Sequence, residues 1–285
     1  MPSEKPRSAT LHLSTGQRLP DLRIVSAEQL YLHEESDPVR VARLAERMRD
    51  EGILRNPPVV APLPEDAGFV VLDGANRTSA LIHIGARALP VQVVDYDDPA
   101  VRLDVWHHFL TDAADLAPRL ASLGLSVRSA GTEEAERFLG ARTIACYFKT
   151  RGGAHIVPQP LEVPPAATLA KVVGAYKGTV RIYRVLTNDL DTVTNEYGTD
   201  GTVVVFPLFT KRDILEIARA PVKLPTGITR HLITGRALRV NVPLNILTSP
   251  GEIDERNRWL AETIHQKLLD NRIRYYPEAS FLFDE

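Results

Sequence analysis

The order of short apolar runs and helical patterns predicts an α/β fold, and three observations carry that reading. Phe69-Val70-Val71-Leu72 is an unbroken apolar run that stops at Asp73-Gly74 and becomes helical from Asn76, ending at Gly85. Asp37-Pro38 opens a second helix as N-cap and first helical residue; Val41, Leu44 and Met48 recur at helical spacing, and Gly52 closes it. Residues 22–25, 59–61 and 89–95 read as strands around these two helices, the middle one introduced by Pro57-Pro58. The resulting order of strand, helix, strand, strand, helix, strand is a compact unit of about 75 residues. Residues 26–30 read as a helical turn and 31–35 as a loop.

The stretch around Asp73 is also where chemistry concentrates. A strand that stops at a glycine and feeds a helix leaves free N–H groups at the positive end of the helix dipole, where phosphate binds. Asp73 before the turn offers a metal ligand or proton acceptor, and Arg77 just inside the helix adds a charged planar fork. Taken alone, the spacing also fits a helix that Asp73 merely caps, with Arg77 on its exposed face.

Composition sets the outer limits. With 285 residues, 44% hydrophobic and 25% charged, the chain holds one large domain or two ordinary ones with a real core. A net charge of −2 gives no global attraction to nucleic acid or to an anionic membrane. Residues 1–20 are polar, charged and proline-containing, and read as a surface extension without the apolar run of a signal peptide. No stretch approaches the ~20 apolar residues that span a bilayer. The single cysteine, Cys146, excludes an internal disulfide and a cysteine-based zinc site, and a cytoplasmic location is the default expectation.

Beyond residue 98 the pattern continues as a second, mixed lobe, with the boundary weakly marked near 99–130. Helices are expected at 113–123, 133–139 and 166–176, and strands at 143–148, 155–157, 179–186 and 202–209. Thr210 caps a helix over 211–218, with Asp213 as the capping-box acid. Residues 226–247 alternate, Pro250 opens a last long helix, and residues 275–283 read as a final strand. The segment 101–110 carries Trp106-His107-His108-Phe109. Adjacent histidines on a strand point to opposite faces and make a poor ligand pair. His33-Glu34-Glu35, read alone, is an acidic loop facing water. Thr229-Arg230-His231 follows a Pro-Thr-Gly loop and offers a hydroxyl, a guanidinium and an imidazole. No Walker loop, kinase catalytic loop or Gly-x-Ser-x-Gly elbow is present.

Several separated motifs in one order resemble a known family. Asp37-Pro38, Gly52-Ile53-Leu54, Pro57 and Val71-Leu72-Asp73-Gly74-Ala75-Asn76-Arg77 resemble the ParB/sulfiredoxin fold. Within it, the match is nearest to the free L-serine kinases, including those associated with siderophore biosynthesis. It extends through Leu32-His33-Glu34, Val105-Trp106-His107, Gly227-Ile228-Thr229-Arg230, Gly235-Arg236 and the terminal helix. The resemblance implies a ParB/sulfiredoxin-like nucleotide-binding domain over 21–98 and a C-terminal α/β lobe over 99–285, with the active-site cleft between them.

It further implies phosphoryl transfer from ATP or ADP to the hydroxyl of free L-serine, giving O-phospho-L-serine, with Mg²⁺. Glu34 would be the general base, and Asp73 would assist it or hold the metal. Gly74, Ala75, Asn76, Arg77 and Thr78 would cradle the nucleotide phosphates. Trp106 would wall the serine pocket, and Thr229, Arg230 and His231 would hold the substrate carboxylate or the transferred group. Relatives commonly carry histidine at the position of Asn76, and some carry glutamate at that of Arg40.

Three other readings compete. A sulfiredoxin needs a nucleophilic cysteine in the phosphate turn, and Gly74-Ala75-Asn76-Arg77 has none. A ParB-like DNA-binding regulator would use a helix-turn-helix, which 120–126 imitates. Its recognition helix would begin Thr132-Glu133-Glu134, setting carboxylates against phosphate, so the charge speaks against DNA. A non-catalytic nucleotide or amino-acid sensor would share the same pocket. The kinase reading is compatible with a homodimer.

Overall fold

The computed structural model describes residues 18–66, 68–111 and 115–276. The expected N-terminal extension falls mostly outside these residues, as does most of the expected terminal strand. The first half runs β1 (Asp21–Ser26), β2 (Leu30–Leu32), α1 (Pro38–Glu51), β3 (Ile53–Leu54), β4 (Val59–Pro62), β5 (Phe69–Asp73), α2 (Ala75–His83) and β6 (Ala88–Val93). Five of these strands form one sheet in the order β1-β6-β4-β5-β2. The caps are those the sequence announces. The Asp37 carboxylate accepts from the N–H groups of Val39 and Arg40 at 3.0 and 3.1 Å, and Gly52 ends α1 in the left-handed region.

Residues 30–32, expected as part of a turn and loop, are instead β2, which pairs in parallel with β5 through Leu30↔Phe69, Tyr31↔Val70 and Leu32↔Val71. Three residues are too few to show an alternation, so only the partner strand reveals it. This pairing sets the geometry of the site, because β2 and β5 end side by side and release Glu34 and Asp73 at the same edge of the sheet.

The second half runs β7 (Arg102–Val105), β8 (His107–Thr111), α3 (Leu116–Ser122), β9 (Arg128–Ala130), α4 (Thr132–Gly140), β10 (Ile144–Thr150), β11 (Gly153–Pro158), α5 (Pro165–Gly174), β12 (Ile182–Val185), α6 (Leu190–Tyr197), β13 (Gly201–Val205) and α7 (Lys211–Arg219). A six-stranded sheet, β12-β8-β13-β10-β11-β9, forms its centre. Strand β9 pairs with β11 and separates α3 from α4, so the stretch that imitated a helix-turn-helix is not one. Helix α6 was not expected: its Thr and Val residues lower helix propensity, and the Asp189 cap and Gly198 stop were the only signals.

The chain then returns to its beginning through β14 (Thr229–Leu232), β15 (Val242–Pro243), α8 (Leu244–Thr248) and α9 (Ile253–Leu269). The alternation expected over 226–247 is thus two short strands and a helical turn. The last helix starts at Ile253, two residues after Pro250-Gly251, with Glu252 as N-cap. β15 pairs with β3, and the Asn257 side chain on α9 bonds both the N–H and C=O of Ile24 on β1, each at 2.8 Å. Leu247 and Leu260 are buried with Ile24, Leu81 and Leu89 in one core. On β5, Val70 and Leu72 face the core shared with the second half, while Val71 packs with Val25, Val60 and Val91.

Helix α7 begins with a reciprocal box: the Thr210 hydroxyl accepts from Asp213 N at 3.1 Å, and the Asp213 carboxylate accepts from Thr210 N at 2.7 Å. Replacing Thr210 by alanine is expected to lower unfolding free energy by about 1 kcal/mol. Urea unfolding checks it; an unchanged midpoint would show that the box contributes nothing.

Candidate active site

Glu34 leaves the end of β2 and turns its carboxylate into a nest of backbone donors. Its Oε2 accepts from Gly227 N at 2.9 Å, and its Oε1 accepts from Ile228 N at 3.1 Å and Thr229 N at 2.6 Å. The Thr229 hydroxyl adds a contact to Oε1 at 2.6 Å. Successive N–H groups converging on one carboxylate fix its position. The flanking backbone is pinned as well: Leu224 N donates to His33 O at 2.9 Å, and Glu35 N donates to Leu224 O at 2.7 Å.

The nest is itself anchored from below. The Gly227 carbonyl can only accept, so Nε2 of the buried His108 donates to it at 3.3 Å, and the Tyr176 hydroxyl meets Nδ1 at 2.7 Å. Trp106 N donates to Ile228 O at 2.7 Å, and β14 pairs with β7. Gly227 is required twice over. Its φ is +85°, and a Cβ there would lie 2.1 Å from Nη2 of Arg184, whose guanidinium lies across the loop. His107 is buried beside His108, and its Nδ1 accepts from Phe206 N at 3.3 Å, so each histidine has its own structural partner.

On the neighbouring strand end, Asp73 enters the turn at Gly74, whose φ is +100°. A Cβ at Gly74 would press on the Arg77 guanidinium at 3.0 Å and on the Pro58 backbone at 3.1 Å. Arg77 pairs with Asp73 Oδ2 and also donates to Asn56 O at 3.1 Å. Burial lowers its pKa, with Arg236 acting the same way and Asp73 against. Arg236 reaches the same Oδ2 at 2.5 Å. Asn76 Oδ1 accepts from Asp37 N at 2.7 Å and so ties the start of α2 to the start of α1. Thr78 is buried with its hydroxyl unpartnered, and its N–H is used within the helix by Gly74 O at 2.9 Å.

Strand alternation divides Thr229-Arg230-His231. Thr229 and His231 point toward His33: the Thr229 hydroxyl is 2.8 Å from His33 Nε2, and the His231 ring stands edge-on to His33 at 5.3 Å. His231 Nε2 is 2.9 Å from the Tyr96 hydroxyl. Arg230 lies on the other face, over the Trp106 ring at 4.7 Å and 3.5 Å from Asp104. The three groups that the loop seemed to present together therefore serve two surfaces.

Beside Glu34 opens a groove of about 670 Å³ lined by Glu34, Glu35, Ser36, Pro38, Lys177 and Lys223 among others. Lys177 is 3.7 Å from Asp37 across the two halves. Lys223 caps the end of α7, donating to Ala218 O and Ala220 O at 2.8 and 2.7 Å. Arg184, Lys177 and Lys223 had no motif to mark them. Arg236 stood in a quoted motif without a role.

Fold and turn together define an α/β protein with the ParB/sulfiredoxin-like architecture. No family model matches the chain. It is 21% identical over 269 residues to the ATP-dependent L-serine kinase SbnI of Staphylococcus aureus, spanning 93% of this chain and 97% of that one. It is 33% identical over 84 residues to the ATP-dependent L-serine kinase of Staphylothermus marinus, which is 30% of this chain and 33% of the relative. Among solved structures, a free serine kinase in complex with AMP superposes with a TM-score of 0.72 at 19% identity, covering 85% of this chain and 98% of the other. The chain is thus similar over most of its length to an ATP-dependent L-serine kinase and shares the fold of the free serine kinase. Among the described residues, no helix is long and apolar enough to cross a membrane.

Three imidazoles of this region are held neutral. Burial pushes His107 and His108 down to about 4 and His231 to about 3, from 6.5. Above pH 6.5 all three are neutral folded or unfolded, and their contribution is complete. As pH falls from there toward 4, the unfolded chain takes protons that the folded chain refuses. Stability is expected to drop by up to about 1.4 kcal/mol per pH unit for each histidine. Urea unfolding across that window reads the slope; a flat profile would contradict the buried neutral state.

Proposed function

We propose that the chain is a free L-serine kinase that transfers the terminal phosphoryl group of a nucleotide to the serine hydroxyl, giving O-phospho-L-serine. The observation that carries the reading is the parallel pairing of β2 with β5, which brings Glu34 and the Asp73 turn to one edge of one sheet. A hydroxyl-activating carboxylate and a phosphate-binding helix start are thereby neighbours, with the groove beside them. Phosphoryl transfer asks a protein for in-line placement and charge neutralisation rather than covalent chemistry, and these elements supply both.

In this reading Glu34 takes the proton of the serine hydroxyl, held in place by the nest at 227–229. The N–H groups of Ala75, Asn76 and Arg77, at the start of α2, face the nucleotide phosphates. The Arg77 and Arg236 guanidiniums neutralise the charge that gathers there. Asn76 supports this turn through its bond to Asp37 rather than as a titrating contact. Arg230, oriented by Trp106 and Asp104, takes the substrate carboxylate. Thr229 and His231 act behind Glu34, and the hydroxyl of Thr78 belongs to the core.

The residues present fit Mg²⁺. No group of three or more His, Cys, Asp or Glu among the described residues could hold a metal alone. Magnesium, however, commonly binds through one or two carboxylates plus substrate phosphates and water. Both arginines pair with Oδ2 of Asp73, which leaves Oδ1 for such an ion. When bound, the ion would neutralise phosphate charge. The donor is ATP or ADP, and the product suits a cytoplasmic amino-acid or siderophore-type biosynthetic route.

Incubation with Mg²⁺, ATP or ADP, and L-serine is expected to yield O-phospho-L-serine, read by mass spectrometry. Arg77→Ala is expected to raise the nucleotide KM at least about tenfold, the loss of one charge-assisted contact. Absence of product with either donor would overturn the reading.

A further inference from the structure

The hydrogen-bond chain behind Glu34 contains one more bond than a neutral imidazole and an ionised carboxylate can fill. The Val71 carbonyl can only accept, so His33 Nδ1, 2.8 Å from it, carries a proton. On the other side of the ring, Nε2 lies 2.8 Å from the Thr229 hydroxyl, and that hydroxyl lies 2.6 Å from Glu34 Oε1. These are two contacts, and the hydroxyl brings one proton. With a neutral imidazole and a carboxylate, one of the contacts would set lone pair against lone pair in a buried place, which is costly.

We propose that His33 is the proton partner of Glu34, the two sharing one proton through the Thr229 hydroxyl. His33 is a positioning residue in this arrangement, acting on the base without touching substrate. The inference rests on the reading of Glu34 as the base and deepens it.

Burial, with Lys223 in the same direction, lowers the His33 pKa on balance, against Glu34 and the Val71 carbonyl, which raise it; an isolated imidazolium is therefore disfavoured there. A pair that shares one proton is net neutral wherever that proton sits, so burial does not count against it. The other groups facing the chain are His231, edge-on to His33 and held neutral, Tyr96 behind His231, and Arg184, which faces Glu34 from β12. None of them offers Nε2 another acceptor among the described contacts.

The chemistry balances simply. With the shared proton on Nε2, Glu34 is a carboxylate. As the serine O–H bond breaks, its electron pair forms the new O–P bond and its proton goes to Glu34. The pair of the broken P–O bond stays on the leaving nucleotide oxygen.

The test has two arms. In the first, NMR of the full chain at pH 7, labelled at histidine nitrogen and glutamate carboxyl carbon, reads the protonation of His33 and Glu34 without any turnover. The shared proton is expected to appear as an Nε2-protonated His33 or a protonated Glu34, and to be lost in Thr229→Val. In the second, the pH profile of kcat in His33→Gln is expected to move its acidic limb by about one unit or more. A bare Nε2 together with an ionised Glu34 in the wild type would overturn the proposal, as would an unmoved limb. Loss of kinase activity in the wild type would sink the enzymatic reading alone, since the NMR arm does not depend on it.

Discussion

The carboxylate of Glu34 against three consecutive backbone N–H groups is the contact on which the rest of the site depends. A carboxylate on a loop has many rotamers, and fixing one costs entropy. Here the donors of Gly227, Ile228 and Thr229 fix both oxygens at once. The contact also joins segments separated by 193 to 195 residues, so it can form only when the second half of the chain has folded against the first. Glu34 is therefore positioned by tertiary structure rather than by local geometry.

The rest of the architecture keeps that nest in place. Buried His108 holds the Gly227 carbonyl, β7 holds β14, and Leu224 brackets Glu34 on both sides. Arg184 presses on the glycine that makes the turn. On the neighbouring strand end, Asp73, Arg77 and Arg236 form a charged cluster in which one carboxylate faces two guanidiniums. Excess positive charge remains in this cluster after the single acid is paired.

Much of this was legible, for identifiable reasons. The apolar run before Asp73-Gly74, the Asp37-Pro38 cap and the Thr210–Asp213 box are local signals, and the structure contains all three elements. Glu34 was named only through resemblance; by charge pattern alone it was a solvated loop. Strand β2 was hidden because three residues cannot show a period. The return of α9 onto β1 was hidden because Asn257 bonding the backbone of Ile24 leaves no mark in either local sequence. The splitting of Thr229-Arg230-His231 was available in principle, since a strand alternates, yet it needed the strand to be recognised first.

If Glu34 acts on the hydroxyl while the Asp73 turn binds the donor, as proposed, the two functions separate. Single-turnover phosphoryl transfer in Glu34→Gln, measured beside nucleotide affinity, tests that most directly. Transfer is expected to slow by about 10²–10⁴-fold with nucleotide affinity essentially unchanged. Transfer at the wild-type rate, or a collapse of nucleotide binding with it, would contradict the division of labour.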